Sequence, residues 1–267
     1  WAYTMLLTLS TRSYKKALGG RHPKMTLFDL PAFATDELGL QGVNIHTKAL
    51  KGWSINEIDR LRDQADKSGS PCLLLLEDIP HKLSGPREGK AGDSIERMER
   101  VLRVANRLGC SGVSMAINES IDGQNYDDVV ERLKGLVNRA ERLEINLLLA
   151  PHEGLTETPE RLTELIRKVG GFRIGSFPDF QVAASTEDTD AYLRGLTPYA
   201  SAVSISSGDF DAKGLHEEFD FMSCLETITS VGYDGTVSLE YRGTKDPTPA
   251  LLASKAAIEA HVEAEST

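Results

Sequence analysis

The chain has 267 residues, of which 40 % are hydrophobic and 26 % charged; one α/β barrel uses roughly 250 residues as a single unit, so a single domain over residues 1–267 with a core that needs no staples is expected. A formal net charge of −10 argues against a nucleic-acid backbone as partner, because phosphate binding needs a basic stripe, and no apolar run approaches the roughly 20 residues of a membrane span. Cys72, Cys110 and Cys224 are an odd set without CxxC spacing, read as buried free thiols in a reducing, cytoplasmic setting.

The sequence opens on Trp1 rather than Met, so Met5 as initiator and a trimmed leader both stay open. From there, short apolar runs alternate with amphipathic segments. Strands are expected at Met5–Ser13, Gly42–Thr47, Cys72–Asp78, Gly112–Asn118, Ile145–His152, Phe172–Asp179, Ala202–Ser207 and Thr236–Tyr241. They are continuous apolar runs, as expected of strands covered on both faces. Between them, Ile95, Met98, Val101, Leu102, Ala105 and Leu108 form one helical stripe, and Val129, Val130, Leu133, Leu136, Val137, Ala140 and Leu143 another.

Helix starts are expected at Ser54–Glu57 and Asp93–Glu96 from capping-box spacing, and at Thr158-Pro159 and Thr248-Pro249 from a cap residue before proline. Glycines 39, 69, 109, 170, 171 and 232 mark helix exits. Strand then helix, eight times over, specifies a right-handed parallel (β/α)8 barrel. The doubly wound alternative would bring a GxGxxG loop after its first strand; Leu9-Ser10-Thr11-Arg12-Ser13 stands there instead, so no nucleotide cofactor is expected.

In a barrel the reacting groups come from the C-terminal strand ends. The polar residues there are Thr11 and Arg12, His46, Glu77 and Asp78, Asn118 and Glu119, His152 and Glu153, Asp179, Ser204 and Ser206, and Glu240 and Arg242. Arg12 is positioned to grip a phosphate or carboxylate, or to tie the rim by a salt bridge. Lys15, Lys16, Arg21, His22 and Lys24 add basic character to the same loop. The connections Pro80–Asp93 and Gly208–Glu218 are long enough for lids or binding loops. The latter carries Asp209, Asp211, Lys213 and His216. Trp53 is a candidate for stacking on a sugar ring, with packing the commoner use of a lone Trp.

With the Gly232-Tyr233-Asp234-Gly235 turn leading into Thr236–Glu240 as its best local carrier, the chain resembles the xylose isomerase-like TIM barrel family of sugar phosphate isomerases and epimerases. That resemblance implies one divalent cation (Mn, Mg, Co or Zn) held by Glu, Asp, His and Glu at the ends of the last four strands. Here Ala150-Pro151-His152 stands for the first, Asp179 keeps the second, Ser204–Ser207 replaces the histidine strand, and Glu240 keeps the fourth; Val182 replaces a further family histidine. The expectation is a degenerate metal site, with Asp179 and Glu240 the ligands if a metal is bound.

The function expected is therefore a sugar isomerase- or epimerase-like barrel that acts on or binds a small carbohydrate or polyol. Its catalytic candidates are Glu240, Asp179 and His152, and its substrate-binding candidates Arg12, His46, Glu77, Trp53 and Arg242. A catalytically silent scaffold barrel and a metal-independent lyase or hydrolase remain as alternatives. A homodimer is the oligomer that the resemblance implies.

Overall fold

A computed structural model describes residues 5–19, 23–120 and 126–265; Arg21 and His22 of the basic loop lie outside the described residues. Eight parallel strands run in order around one sheet: β1 (Leu6–Ser10), β2 (Val43–His46), β3 (Cys72–Leu76), β4 (Gly112–Ala116), β5 (Asn146–Ala150), β6 (Ile174–Ser176), β7 (Ala202–Ser207) and β8 (Thr236–Tyr241). β8 pairs with both β1 and β7. The seam between β6 and β7 is closed by two single bridges, Ser176 with Ala200 and Asp179 with Ser204. At that seam the Tyr199 carbonyl comes so close to Gly175 that a Cβ there would meet it at 2.4 Å, so the closure requires glycine.

Several strands stop short of their apolar runs for local reasons. After β1 the chain turns into a 3-10 segment, Thr11–Tyr14, because the Ser10 side chain accepts from the Arg12 amide at 3.4 Å. Pro151, which has no N–H to give to a ladder, follows the last residue of β5. β6 begins two residues after Phe172, which is fully exposed at the turn.

Helices cover the outside. Lys90–Leu108 buries Met98, Val101, Leu102, Ala105 and Leu108, and Tyr126–Arg142 buries Val129, Val130, Leu133, Leu136, Val137 and Ala140; of the expected stripes Ile95 is only half-buried, and Leu143 is half-buried just past the end of its helix. Ser54 and Glu57 form the expected capping box and Thr158 caps Pro159–Val169. Two starts differ from expectation. The Lys90 helix begins one turn before Asp93, and the last helix, Pro247–Glu265, begins ahead of Thr248, where Asp246 accepts from the Thr248 amide at 3.0 Å. The glycine exits hold: Gly109 ends its helix in the left-handed conformation at φ 82°, where a side chain would be strained.

Both long connections are tied down. Glu119 is buried and accepts from the Leu83 and Ser84 amides, each at 2.6 Å, and from Ser84 Oγ, while Arg132 donates to the Leu83 and Gly85 carbonyls. In Gly208–Glu218, Phe210 bridges His216, whose ring packs among Phe210, Phe219 and Phe221. Cys72, Cys110 and Cys224 are buried and free. No helix among the described residues is long and apolar enough to cross a membrane.

Inside the barrel two halves differ. Leu74, Leu76, Leu148, Phe177 and Ala202, with Ala150 against them, form a closed apolar cluster. Thr8, Asn44 and Ser238, on β1, β2 and β8, instead form a buried polar layer. The Asn44 amide donates to Thr8 Oγ1 and Ser238 Oγ, both at 2.7 Å.

Candidate functional site

The charged groups stand on the polar side, one step above that layer. Strand alternation puts Ser10 with Thr8, His46 with Asn44 and Glu240 with Ser238 on the inward face. Glu240 is 2 % exposed, and four neighbours surround its carboxylate. Arg242 Nε donates to Oε1 at 2.7 Å and Arg12 reaches the same oxygen at 3.4 Å; Ser10 Oγ donates to Oε2 at 2.7 Å, with His46 Nε2 3.3 Å away.

Arg242 also grips Asp179 bidentately, at 3.0 Å to Oδ1 and 2.6 Å to Oδ2. Asp179 is held from behind, because it caps the short helix Phe180–Ala184 through the Val182 amide and accepts from Ser206 Oγ at 2.7 Å. One planar guanidinium therefore bridges the two carboxylates, the fork geometry at which arginine exceeds lysine.

On the other side, His46 Nδ1 lies 3.0 Å from Asp78 Oδ1, and Arg12 donates to that oxygen at 3.1 Å. The Lys48 amide and Thr47 Oγ1 hold Asp78 Oδ2. Burial alone would lower the pKa of His46, but its bonds to Asp78 and Glu240 outweigh this and raise it. Burial pushes up the carboxyl pKa of Glu240; His46, Arg242 and Arg12 reverse that and hold it well below the usual range. For Asp78 the same upward push from burial is reversed by His46, the Lys48 amide and Arg12. Burial works against the charge on Arg242, yet Asp179 and Glu240 raise its pKa further. Three cations (Arg12, His46, Arg242) thus face three carboxylates (Asp78, Asp179, Glu240) in one balanced cluster. Above it opens a cavity of about 640 Å³ whose lining includes Arg12, Lys15, His46, Lys48, Asp78 and Arg242.

Ser10, His46 and Asp78 fall in a row, with Ser10 Oγ 3.1 Å from His46 Nε2, a nucleophile–base–carboxylate order. Ser10 is 0 % exposed and gives its proton to Glu240, so no substrate carbonyl can approach it. Acyl transfer does not fit this geometry.

The other candidates lie apart. Glu77 sits one residue out of phase with Leu74 and Leu76, so it points outward, where Arg97 holds it bidentately with both contacts at 3.0 Å; Asp78 takes the inward place. Trp53 stacks on Phe28 with ring centroids 4.9 Å apart and packs against the core. The His152 ring bonds to the Glu153 carbonyl, and none of its hydrogen bonds reaches Asp179 or Glu240. Ser10 and Asp78 were recoverable from strand alternation; the bridging posture of Arg242 was not, because it follows β8 and folds back over it.

The sequence profile described as xylose isomerase-like TIM barrel matches residues 33–261. The chain belongs to the xylose isomerase-like TIM barrels. No curated protein matches its sequence significantly. Among solved structures, this xylose isomerase-like barrel is similar to apo 3-keto-D-glucoside 4-epimerase from E. coli, with a TM-score of 0.74 and 17 % identity over 96 % of this chain and 100 % of that one. It is also similar to L-ribulose 3-epimerase, with a TM-score of 0.81 and 13 % identity over 98 % and 95 %. A D-tagatose 3-epimerase-like protein gives a TM-score of 0.77 and 18 % identity over 98 % and 100 %. At these identities the likeness is one of fold.

In this xylose isomerase-like barrel a divalent cation would have to rest on Asp179 and Glu240. Both oxygens of Asp179 and one of Glu240 accept from Arg242, and no group of three or more His, Cys, Asp or Glu among the described residues is disposed to hold a metal. The wall on the β5 side offers Ala150, Leu148 and Phe177, none of which can supply a side-chain donor. The donor set does not fit a divalent cation.

Proposed function

We propose that the barrel mouth binds a small carbohydrate or polyol and acts on it by proton transfer without a divalent cation. Arg12 and Arg242 supply the positive charge and His46 moves the proton. What carries this reading is the Arg242 guanidinium lying between Asp179 and Glu240. An added dication would enter a cluster whose charges already balance, and would have to displace an arginine from its carboxylates. Carbohydrate is the class favoured by the relatives, whose names include a keto-glucoside epimerase and a ribulose epimerase. The three buried free thiols fit a reducing, cytoplasmic setting.

The chemistry follows from which groups can change charge. Glu240 is too well solvated by its donors to serve as a base. His46 is the one imidazole of the cluster, and Asp78 fixes its orientation through Nδ1. His46 is charged in the resting cluster; once it has released that proton to solvent, the neutral imidazole removes a proton from the carbon beside a substrate carbonyl. The negative oxygen that develops is met by guanidinium N–H groups already in place, and the imidazolium returns the proton. Asp179 and Glu240 hold the arginines, and His152 takes no part.

The test is solvent deuterium exchange, followed by NMR, on ketoses, keto-sugars and inositols. Exchange beside a carbonyl is expected, indifferent to chelator, and reduced about 100-fold or more in His46→Gln. Exchange that needs added metal, or that survives in His46→Gln, would overturn the proposal. A binding barrel without turnover is the second reading, favoured by the saturation of Glu240. It predicts saturable sugar binding with no exchange.

A further inference from the structure

We infer that the loop Gly208–Glu218 is a pH-sensitive latch beside the barrel mouth, closed while His216 is neutral and released when that ring takes up a proton. The latch braces one corner of the mouth and is independent of what the mouth binds.

His216 organises the loop from inside. The amide of Gly208, a buried residue, donates to His216 Nε2 at 2.8 Å, and Nδ1 faces the Glu218 and Phe219 amides, each at 3.3 Å. Both ring nitrogens are therefore met by backbone N–H groups. A neutral imidazole has one lone pair and one N–H, so it can accept on one side only, and the shorter contact assigns the lone pair to Nε2. An imidazolium has no lone pair. Protonation would set a ring N–H against the Gly208 amide and leave that donor without its acceptor, which costs the closed loop its central bond.

The surroundings decide the direction of the response. Glu218, Glu217 and Asp209 face the ring from its own loop. Asp209 is held by Tyr241 and Lys245, and Asp220 caps the helix Phe221–Ser230. Phe210, Phe219 and Phe221 pack against the ring itself. Burial lowers the His216 pKa, and this outweighs the pull of Glu218, the Phe219 backbone, Glu217 and Asp209 toward the charged ring. The closed loop is therefore favoured above the ordinary value of about 6.5, and its advantage is lost as pH falls through that value toward the lowered one. Beside the ring lies a cavity of about 400 Å³ whose lining includes Leu215, Glu217, Glu218 and Met222. An imidazolium turned out into it meets carboxylates that stabilise its charge.

The loop is tied to the charged cluster. Glu218 accepts from the Gln181 side chain at 3.3 Å, in the short helix that Asp179 caps. Ser206 of β7 accepts from the Gln181 amide and donates to Asp179 Oδ1. Tyr241, next to Glu240 in β8, donates to Asp209 at 2.7 Å. Opening the loop loosens the Gln181 and Tyr241 ties while β7 and β8 keep their ladder.

The experiment is amide hydrogen exchange by NMR on the full chain at about pH 7.5 and about pH 5, corrected for the intrinsic rate at each pH, with a titration of the His216 ring. It is repeated on His216→Gln, which keeps an acceptor that cannot be protonated, and on His216→Phe, which keeps a ring that cannot accept. In the unaltered chain the protection of Gly208, Glu218 and Phe219 should fall about fivefold or more at the lower pH, while the β8 amides keep theirs. The ring should titrate below about 6.5. His216→Gln should remove the pH dependence, and His216→Phe should leave Gly208 poorly protected at both pH values. Gly208 protection that is the same at both pH values in the unaltered chain, or a ring that titrates above about 6.5, would overturn the latch. A fall that persists undiminished in both variants would assign the response to the loop's carboxylates and overturn the role of His216.

Discussion

The interior of the barrel is two materials. On β3, β5 and β6 it is filled by Leu74, Leu76, Leu148 and Phe177, and on β8, β1 and β2 by Ser238, Glu240, Thr8, Ser10, Asn44 and His46. The apolar half behaves as ordinary core: its shape matters and its chemistry is inert. The polar half stacks a hydroxyl–amide layer, tied together by the Asn44 side-chain NH2, beneath a charged layer that faces the cavity. The charged cluster therefore lies along the arc from β8 to the end of β3, with Asp179 after β6 joined to it through Arg242, and the hydrogen bond of the His152 ring goes to the Glu153 carbonyl instead. Asp179 and Glu240 share the Arg242 guanidinium, and Ala150 brings no carboxylate beside them.

The contrast can be broken most forcefully at Arg242. Arg242→Ala leaves Asp179 and Glu240 buried against each other without their shared partner and should cost about 3–5 kcal/mol in urea unfolding. A cost below about 1 kcal/mol would mean that the bridge is incidental. In the other half, Leu148→Ala should cost about 2–5 kcal/mol through the cavity it leaves, while ligand affinity at the mouth stays unchanged. A large loss of affinity there would show that the two halves are not independent.

A smaller effect is the pH profile of stability. Glu240 and Asp78 have depressed folded values, so their contribution is present above the ordinary carboxylate range of about 4 and is lost as pH falls through the folded values. His46 is raised, so its contribution is present below about 6.5 and is lost as pH rises through the folded value. Stability should peak between these limits, and Asp78→Asn should flatten the alkaline limb by removing a partner that raises His46. Glu77→Gln, which faces Arg97 instead, should leave that limb alone. Both can be read from unfolding curves across pH with an NMR titration of the His46 ring. The smallest change is expected for Ser10→Ala, about 1 kcal/mol, because Glu240 keeps its other donors.

Much of this fold was legible in the sequence. The bounds of β7 and β8 coincide with their apolar runs, and most of each helical stripe is buried, because two-sided burial leaves continuous hydrophobic runs. Strand ends were less legible. Ser10 and Pro151 end their strands through hydrogen bonding, which hydrophobicity does not report. At the site, Asp179, Glu240, Arg12, His46 and Arg242 come together, while Glu77 was chosen over Asp78 where strand alternation decides between them. The bridge that Arg242 makes between Asp179 and Glu240 depends on how a side chain folds back across two strands, and no spacing in the chain encodes that.

The most direct check of the proposal that Arg242 supplies positive charge in place of a divalent cation is calorimetric titration of the chelator-treated full chain with Mn, Mg, Co and Zn, paired with melting curves in each metal. No stoichiometric binding tighter than about millimolar and no shift in melting temperature are expected. One tightly bound ion per chain, whose removal lowers the melting temperature, would contradict the assignment of that charge to Arg242.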